Sequence, residues 1–440
     1  MPSESADTTK RAEWSRYGFV LAAIGSAVGL GNIWRFPYVV GENGGGAFLV
    51  PYIVSFFCFG IPLMVLEFTV GRGFRGSVVT AFGRLHPRLR HLGLLPFVMT
   101  LVVFSYYSVI AGWTLAYIIF SVTGYMDFET FTSSPLPRVT FFATILLAGA
   151  VVKVDLKAGI ERANRYLMPV LGVALLIMLV QALTLPGVQA GLAYYLTPDL
   201  SALSDPAIWV QAAGQVFFSL SIGFGVLLTY GSYLSDSASI PRSAAVIAGV
   251  DFLVALVAGF IIFPIVFSFG FDPVSGPQLA FITLPQIFST MAFGSFFGTI
   301  FFILLFVGAI SSILSMVEGG VATMVDEWAW PREKATIFIC TLAALIGLPS
   351  ALSYAGYDLI LFGAPFLDNV DLLFGTLLVP VSASMICLAF SWLWKPESLL
   401  TEVNKNSRFK FSRTAVYYLR YIVPLLLLVT LASTVVRTFL

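Results

Sequence analysis

The fold turns on "SAVGLGNIWRFP", Ser26 to Pro37. The stretch lies inside the first long apolar run of the chain, yet it carries Gly29, Gly31, Asn32, Arg35 and Pro37 in close succession. Glycine and proline weaken a helix, and a charge at the centre of a bilayer costs at least about 2.5–3.5 kcal/mol. A helix that breaks in hydrocarbon frees N–H and C=O groups, each costing several kcal/mol unless something inside the protein pairs with it.

The rest of the chain makes that setting a membrane. Of 440 residues, 58% are hydrophobic and 11% charged, against about a quarter charged in a soluble domain. The mean hydropathy is +0.92. Apolar runs of about 20 residues match a ~30 Å hydrocarbon core. They predict an all-α polytopic membrane protein of about eleven spans, centred near residues 28, 58, 107, 147, 176, 221, 257, 311, 343, 381 and 427. Basic residues gather in alternate loops: Arg72, Arg75, Arg84, Arg88 and Arg90 after span two; Lys153, Lys157, Arg162 and Arg165 after span four; Lys395, Lys405, Arg408, Lys410, Arg413 and Arg420 between spans ten and eleven. The positive-inside rule then sets the N-terminus in the cytoplasm, and an odd number of spans sets the C-terminus outside. A cleavable signal peptide is not expected, since no small-residue cleavage site precedes a soluble domain.

Composition also excludes several functions. Cys58, Cys340 and Cys387 lie in apolar spans, where they suit packing rather than disulfides or metal ligation. His86 and His91 fall in an inner loop, away from any haem site within the bilayer. No GxxxxGK[ST] stretch cradles ATP. No nucleophile–base constellation or metal cluster appears in the spans, so an enzyme is not expected, and nothing marks a nucleic-acid partner. Solute movement driven by an ion gradient is the class that remains.

Span six echoes span one. Gly223-Phe224-Gly225 interrupts it, flanked by Gln215, Ser219 and Ser221. Paired glycine breaks five spans apart point to a 5+5 inverted repeat with broken helices meeting at the midplane. Repeat one covers about 11–186 and repeat two about 207–395, with an extra helix at about 413–438. Half-helix N-termini attract a carboxylate, and freed carbonyls attract cations. Close packing of small residues is the other reading of the same glycines.

With "SAVGLGNIWRFPYVVGENGGGAFLVPY" extended by "GQVFFSLSIGFG" in span six and "SSILSMVEGG" in span eight, the chain resembles the neurotransmitter:sodium symporter family. The match is collinear from about Arg11 to Arg437, and eleven spans is the pattern of a prokaryotic subgroup. The resemblance implies the leucine-transporter-like fold, a prokaryotic plasma membrane, two sodium ions and no organic cofactor. Sodium site one would use the Ala27 carbonyl, Asn32, the hydroxyl and carbonyl of Ser219, the Asp251 side chain and the substrate carboxylate. Site two would use the carbonyls of Gly25, Val28 and Gly308 with the hydroxyls of Ser311 and Ser312; hydroxyls bonded back to their own helix are the alternative.

The same resemblance sets the substrate. Where monoamine carriers place an aspartate, this chain has Gly29, so the substrate is expected to bring its own carboxylate to the N–H groups of Leu30 and Gly31 and to Tyr107. Its ammonium would face carbonyls of Ala27, Phe218 and Ser219 near Ser221, and its side chain would meet Val103, Tyr107, Phe218, Phe224, Ser312 and Met316. That lining implies import of neutral hydrophobic L-amino acids, aliphatic or aromatic. Another small solute, or a non-transporting sensor of the same fold, is the alternative. Arg35 with Asp371 would form an outer gate, unless Arg35 only reaches the interface. Arg11 with Asp326 would form the inner one, supported by Trp14, Ser232 and Tyr233, unless Arg11 serves only as a positive-inside residue. Asp251, an intramembrane acid, is a functional residue by default. A bacterial member of the family carries asparagine there with a glutamate one turn later, where this chain has Ala255, and chloride-dependent relatives place an anion nearby instead; the resemblance thus implies that the charge moves to Asp251 and that transport is chloride-independent. Glu67 is expected to be structural. Gly159 and Pro169 mark either a fifth span that unwinds or an ordinary helix-start proline.

Overall fold

A computed structural model describes residues 13–124, 127–273, 279–355 and 359–439. Among them, nine helices are long and apolar enough to cross a membrane: Gly46–Phe74, Pro87–Thr123, Leu136–Val154, Leu156–Leu183, Ile240–Ser268, Gly294–Trp328, Arg332–Leu352, Phe366–Leu393 and Arg413–Ser433. Tyr17–Ala27 and Gly31–Glu42 are bent by 43° and make a tenth span when taken together. The count of eleven expected from sequence is not met by length, because the sixth segment is split. It consists of Pro206–Ser219, with 14 residues, and Val226–Ser232, with 7.

Both breaks have local causes. Val28 is extended, at ψ 106, and Gly31–Arg35 continues as a wide π-turn. In the sixth segment Ser221, Gly223 and Gly225 have φ of 55, 86 and 73. Left-handed residues so close together cannot continue a right-handed helix. The exposed backbone is then propped by side chains: Glu67 Oε1 accepts the Gly223 N–H at 2.8 Å, Ser382 donates to the Gly223 carbonyl at 2.5 Å, and Thr100 donates to the Phe224 carbonyl at 2.6 Å. Every one of these pairings removes a cost that lipid would not.

The third and eighth spans, Pro87–Thr123 and Gly294–Trp328, are each 78% buried over their apolar windows, against 28% for Leu156–Leu183. They form the centre against which the broken helices lie, while Leu146, Leu176 and Leu345 face outward. Gly71 and Gly231 bring the second span and Val226–Ser232 into backbone contact: a Cβ on Gly71 would sit 2.0 Å from the Leu228 carbonyl oxygen.

The fifth span, Leu156–Leu183, is continuous, entered through a π-turn at Leu156–Glu161 that Asp155 caps, and Pro169 stands inside the helix rather than in its first turn. The architecture is helical as expected, with one small addition: Ile360–Leu361 and Ala364–Pro365 pair as a two-stranded antiparallel ladder. Two-residue strands are too short to leave an alternating pattern.

Candidate functional site

The break in the first span exposes N–H groups that neighbouring helices meet. Asn32 Oδ1 accepts the Gly29 N–H at 3.0 Å, and the Tyr107 hydroxyl accepts the Leu30 N–H at 3.0 Å. Gln215 donates to the Gly31 carbonyl at 2.7 Å. Gly29 has no room for a side chain in this arrangement: a Cβ would lie 2.5 Å from Ser312 Oγ and 3.0 Å from the Tyr107 hydroxyl.

Below this turn lies a fully buried carboxylate. Asp251 accepts from Asn32 Nδ2 at 2.7 Å and from the Ser219 hydroxyl at 2.9 Å. Asn32 Nδ2 also donates to Ser219 Oγ and to the Asp251 carbonyl. Asn32 therefore turns its NH2, not its oxygen, toward Asp251, because the oxygen serves Gly29. Ligation by Asn32 needs that amide to rotate. Tyr52 lies beside Ser219 and Asp251; it is wholly buried, and its ring stacks on Phe252 at 5.9 Å. Sequence reading missed Tyr52, because one tyrosine in an apolar span looks like packing.

The second expected group is also drawn together. Ser312 Oγ is 3.5 Å from the Gly25 carbonyl, 3.3 Å from that of Ser26 and 3.2 Å from that of Gly308. Ser311 takes the back-bonded alternative, donating to the Gly308 carbonyl at 2.9 Å. All the side chains in both groups offer hard oxygen, the donor type that a small alkali cation requires, and the only charge among them is the Asp251 carboxylate.

Between the groups is a small cavity of about 20 Å³, lined by Ala27, Gly29, Gly31, Val103, Tyr107, Phe218, Ser221, Phe224, Ser312 and Met316 together with Ser26, Val226 and Ser315. The last three were not expected; Ser26 and Ser315 bond each other at 2.9 Å, and Ser221 donates to the Ser26 carbonyl at 3.1 Å. Leu30 contributes through its N–H to Tyr107, and Ser219 belongs to the carboxylate group. A water-sized space is about 10–15 Å³ by the same measure, so a larger solute enters only if the walls part.

Above the cavity, Arg35 and Asp371 do not pair with each other. Arg35 donates to Gln215 at 2.8 Å and lies 4.9 Å over the Phe218 ring, while Asp371 accepts from the Tyr106 hydroxyl at 2.6 Å. Each already has a partner on its own side. Below, the Trp14 N–H donates to the Tyr233 carbonyl at 3.1 Å, and the Tyr233 hydroxyl donates to Glu318 at 2.7 Å. Arg332 pairs with Glu318, which is completely buried. Asp326 accepts the Ser77 N–H at 2.6 Å, and Ser232 bonds back to Thr229. Arg11 lies outside the described residues. The Glu318–Arg332 pair was not anticipated, since Arg332 reads as one more inner-loop cation.

A helical membrane protein with two broken spans around a cavity and oxygen-rich groups is an ion-coupled carrier. Comparison with known proteins names the family. The sodium:neurotransmitter symporter family profile matches residues 11–135 and 129–439. An uncharacterized sodium-dependent transporter of Bacillus subtilis, YhdH, is 36% identical over 97% of this chain and 98% of its own length. The sodium-dependent serotonin transporter of Drosophila melanogaster is 31% identical over 80% of this chain and 66% of its own. The crystal structure of MhsT in complex with L-phenylalanine superposes with a TM-score of 0.89 at 39% identity, covering 96% of this chain and 100% of that one. The chain belongs to the sodium:neurotransmitter symporter family, and it is a multi-pass, sodium-dependent membrane symporter.

Proposed function

We propose that the protein imports neutral hydrophobic L-amino acids, aliphatic or aromatic, together with two sodium ions and without chloride. The observation that carries this reading is the lining of the cavity: backbone and hydroxyl groups of the first-span break at one side, and Val103, Phe218, Phe224 and Met316 with no facing charge at the other. A carboxylate would take the Leu30 and Gly31 N–H groups and the Tyr107 hydroxyl, and the crowding at Gly29 disfavours an acidic side chain there. An apolar side chain would fill the remainder. The structural likeness to MhsT, whose complex holds L-phenylalanine, supports the aromatic end of this range.

Sodium at site one would be held by Ala27, Asn32, Ser219 and Asp251, and at site two by Gly25, Val28, Gly308, Ser311 and Ser312. The bound cations would supply positive charge beside the broken helix ends. Asp251 would provide the fixed negative charge that chloride would otherwise bring, beside Tyr52. Arg35, Asp371, Trp14, Tyr233, Asp326 and Arg11 belong to closures on the two sides, with the N-terminus cytoplasmic. Binding of radiolabelled phenylalanine, leucine, tryptophan and taurine to purified protein, in sodium against potassium, tests the reading. Sodium-dependent binding of the three apolar amino acids is expected; binding that is indifferent to sodium, or limited to taurine, overturns it.

A further inference from the structure

Asn164 stands on Arg162–Leu183, the outlying fifth span, yet its side chain is wholly buried. Its Nδ2 donates to the Ile160 carbonyl at 3.0 Å, which fixes the other end of the amide as the oxygen. That oxygen, Oδ1, has no hydrogen-bond partner. An unsatisfied buried acceptor costs about 1–3 kcal/mol, so its place requires a reason. The oxygen points at the first span: a Cβ built on Gly25 would lie 2.0 Å from Oδ1 and 3.2 Å from Ser311 Cβ. Asn164 Oδ1 thus reaches the space between Gly25 and Ser311, two members of the second oxygen group.

We infer that Asn164 gives its side-chain oxygen to the second cation site, as a ligand from the fifth span beside those of the first and eighth. The inference rests on the sodium-coupled reading above. Gly25, Val28 and Gly308 offer carbonyl oxygens, and Ser311 and Ser312 offer hydroxyls. A further amide oxygen makes six neutral, hard donors. That set suits a monovalent alkali ion, whereas calcium sites of similar ligand number are built on carboxylates. The Ser311 hydroxyl gives its proton to the Gly308 carbonyl and keeps its lone pairs for a cation, and Asn164 Oδ1 accepts no bond that a cation would have to displace. Cation occupancy is thereby tied to the inner part of the fifth span, which starts at the π-turn Leu156–Glu161.

The test is a sodium titration of the purified full chain without amino acid, at constant ionic strength balanced by potassium, read by thermal unfolding and by tryptophan fluorescence. Asn164→Ala is expected to raise the sodium midpoint by about 10-fold or more, and Asn164→Asp, which keeps the oxygen and adds charge, to lower it. A midpoint for Asn164→Ala within about twofold of the parent overturns the inference. Should Asn164→Ala not fold, Asn164→Asp decides alone: a lowered midpoint supports the ligand role, and an unchanged or raised one overturns it. A parent protein equally stable in sodium and potassium instead overturns the sodium-coupled reading itself, so the two failures are distinct.

Discussion

At the scale of single residues, Asp251 and Tyr107 carry the sharpest consequences. Asp251 is buried with its charge met by Asn32 and Ser219 only. Asp251→Asn removes the fixed negative charge, so uptake should become stimulated by chloride, whereas parent uptake should be unchanged when gluconate replaces chloride; proteoliposome uptake in the two salts checks both. Tyr107→Phe removes the hydroxyl, now held by the Leu30 N–H, that would donate to the substrate carboxylate. At about 1–3 kcal/mol for such a loss, amino-acid affinity should fall by about tenfold or more in a binding assay. These two residues were legible in the sequence because an acid in an apolar span is conspicuous and Tyr107 falls in register with a motif. Tyr52 and Asn164 were not legible. Their significance lies in which distant helix their polar atom faces, and periodicity within one span does not specify that.

Among elements, the two breaks were readable because glycines cluster with polar residues inside apolar runs; positive φ at Gly223 and Gly225 accounts for the second break, and the extended Val28 with the π-turn at Gly31–Arg35 for the first. What could not be read was their extent, since the partners that prop the freed backbone, Glu67, Thr100 and Ser382, come from three other spans. The two readings of the fifth span could not be separated from sequence for a similar reason: a proline is tolerated within Arg162–Leu183, where Asp155 secures the helix entrance. The packing of the second span on Val226–Ser232 gives a test at this scale. Gly71→Ala drives a Cβ against the Leu228 backbone, which cannot rotate away as a side chain would. Overpacking of this kind costs about 1–3 kcal/mol, so the melting temperature in detergent should drop, while Gly172→Ala, where a Cβ meets nothing, should leave it nearly unchanged.

For the whole molecule, the inner side is held by a chain of contacts from Trp14 through Tyr233 and Glu318 to Arg332. Removing Arg332 leaves the Glu318 carboxylate buried without its cation, a loss of about 3–5 kcal/mol. On the proposed reading these contacts form the inner closure, so Arg332→Ala should shift the population toward inner opening, seen as faster labelling of Ser232→Cys by a water-soluble thiol reagent. The outer side is built differently. There Gln215 grips the first broken span twice, once at the Gly31 carbonyl and once at the Arg35 guanidinium. The upper pieces of the two snapped helices are consequently yoked like a pair of oars on one shaft: a tilt imposed on either, by solute or by ion, must be passed to the other without any help from Asp371.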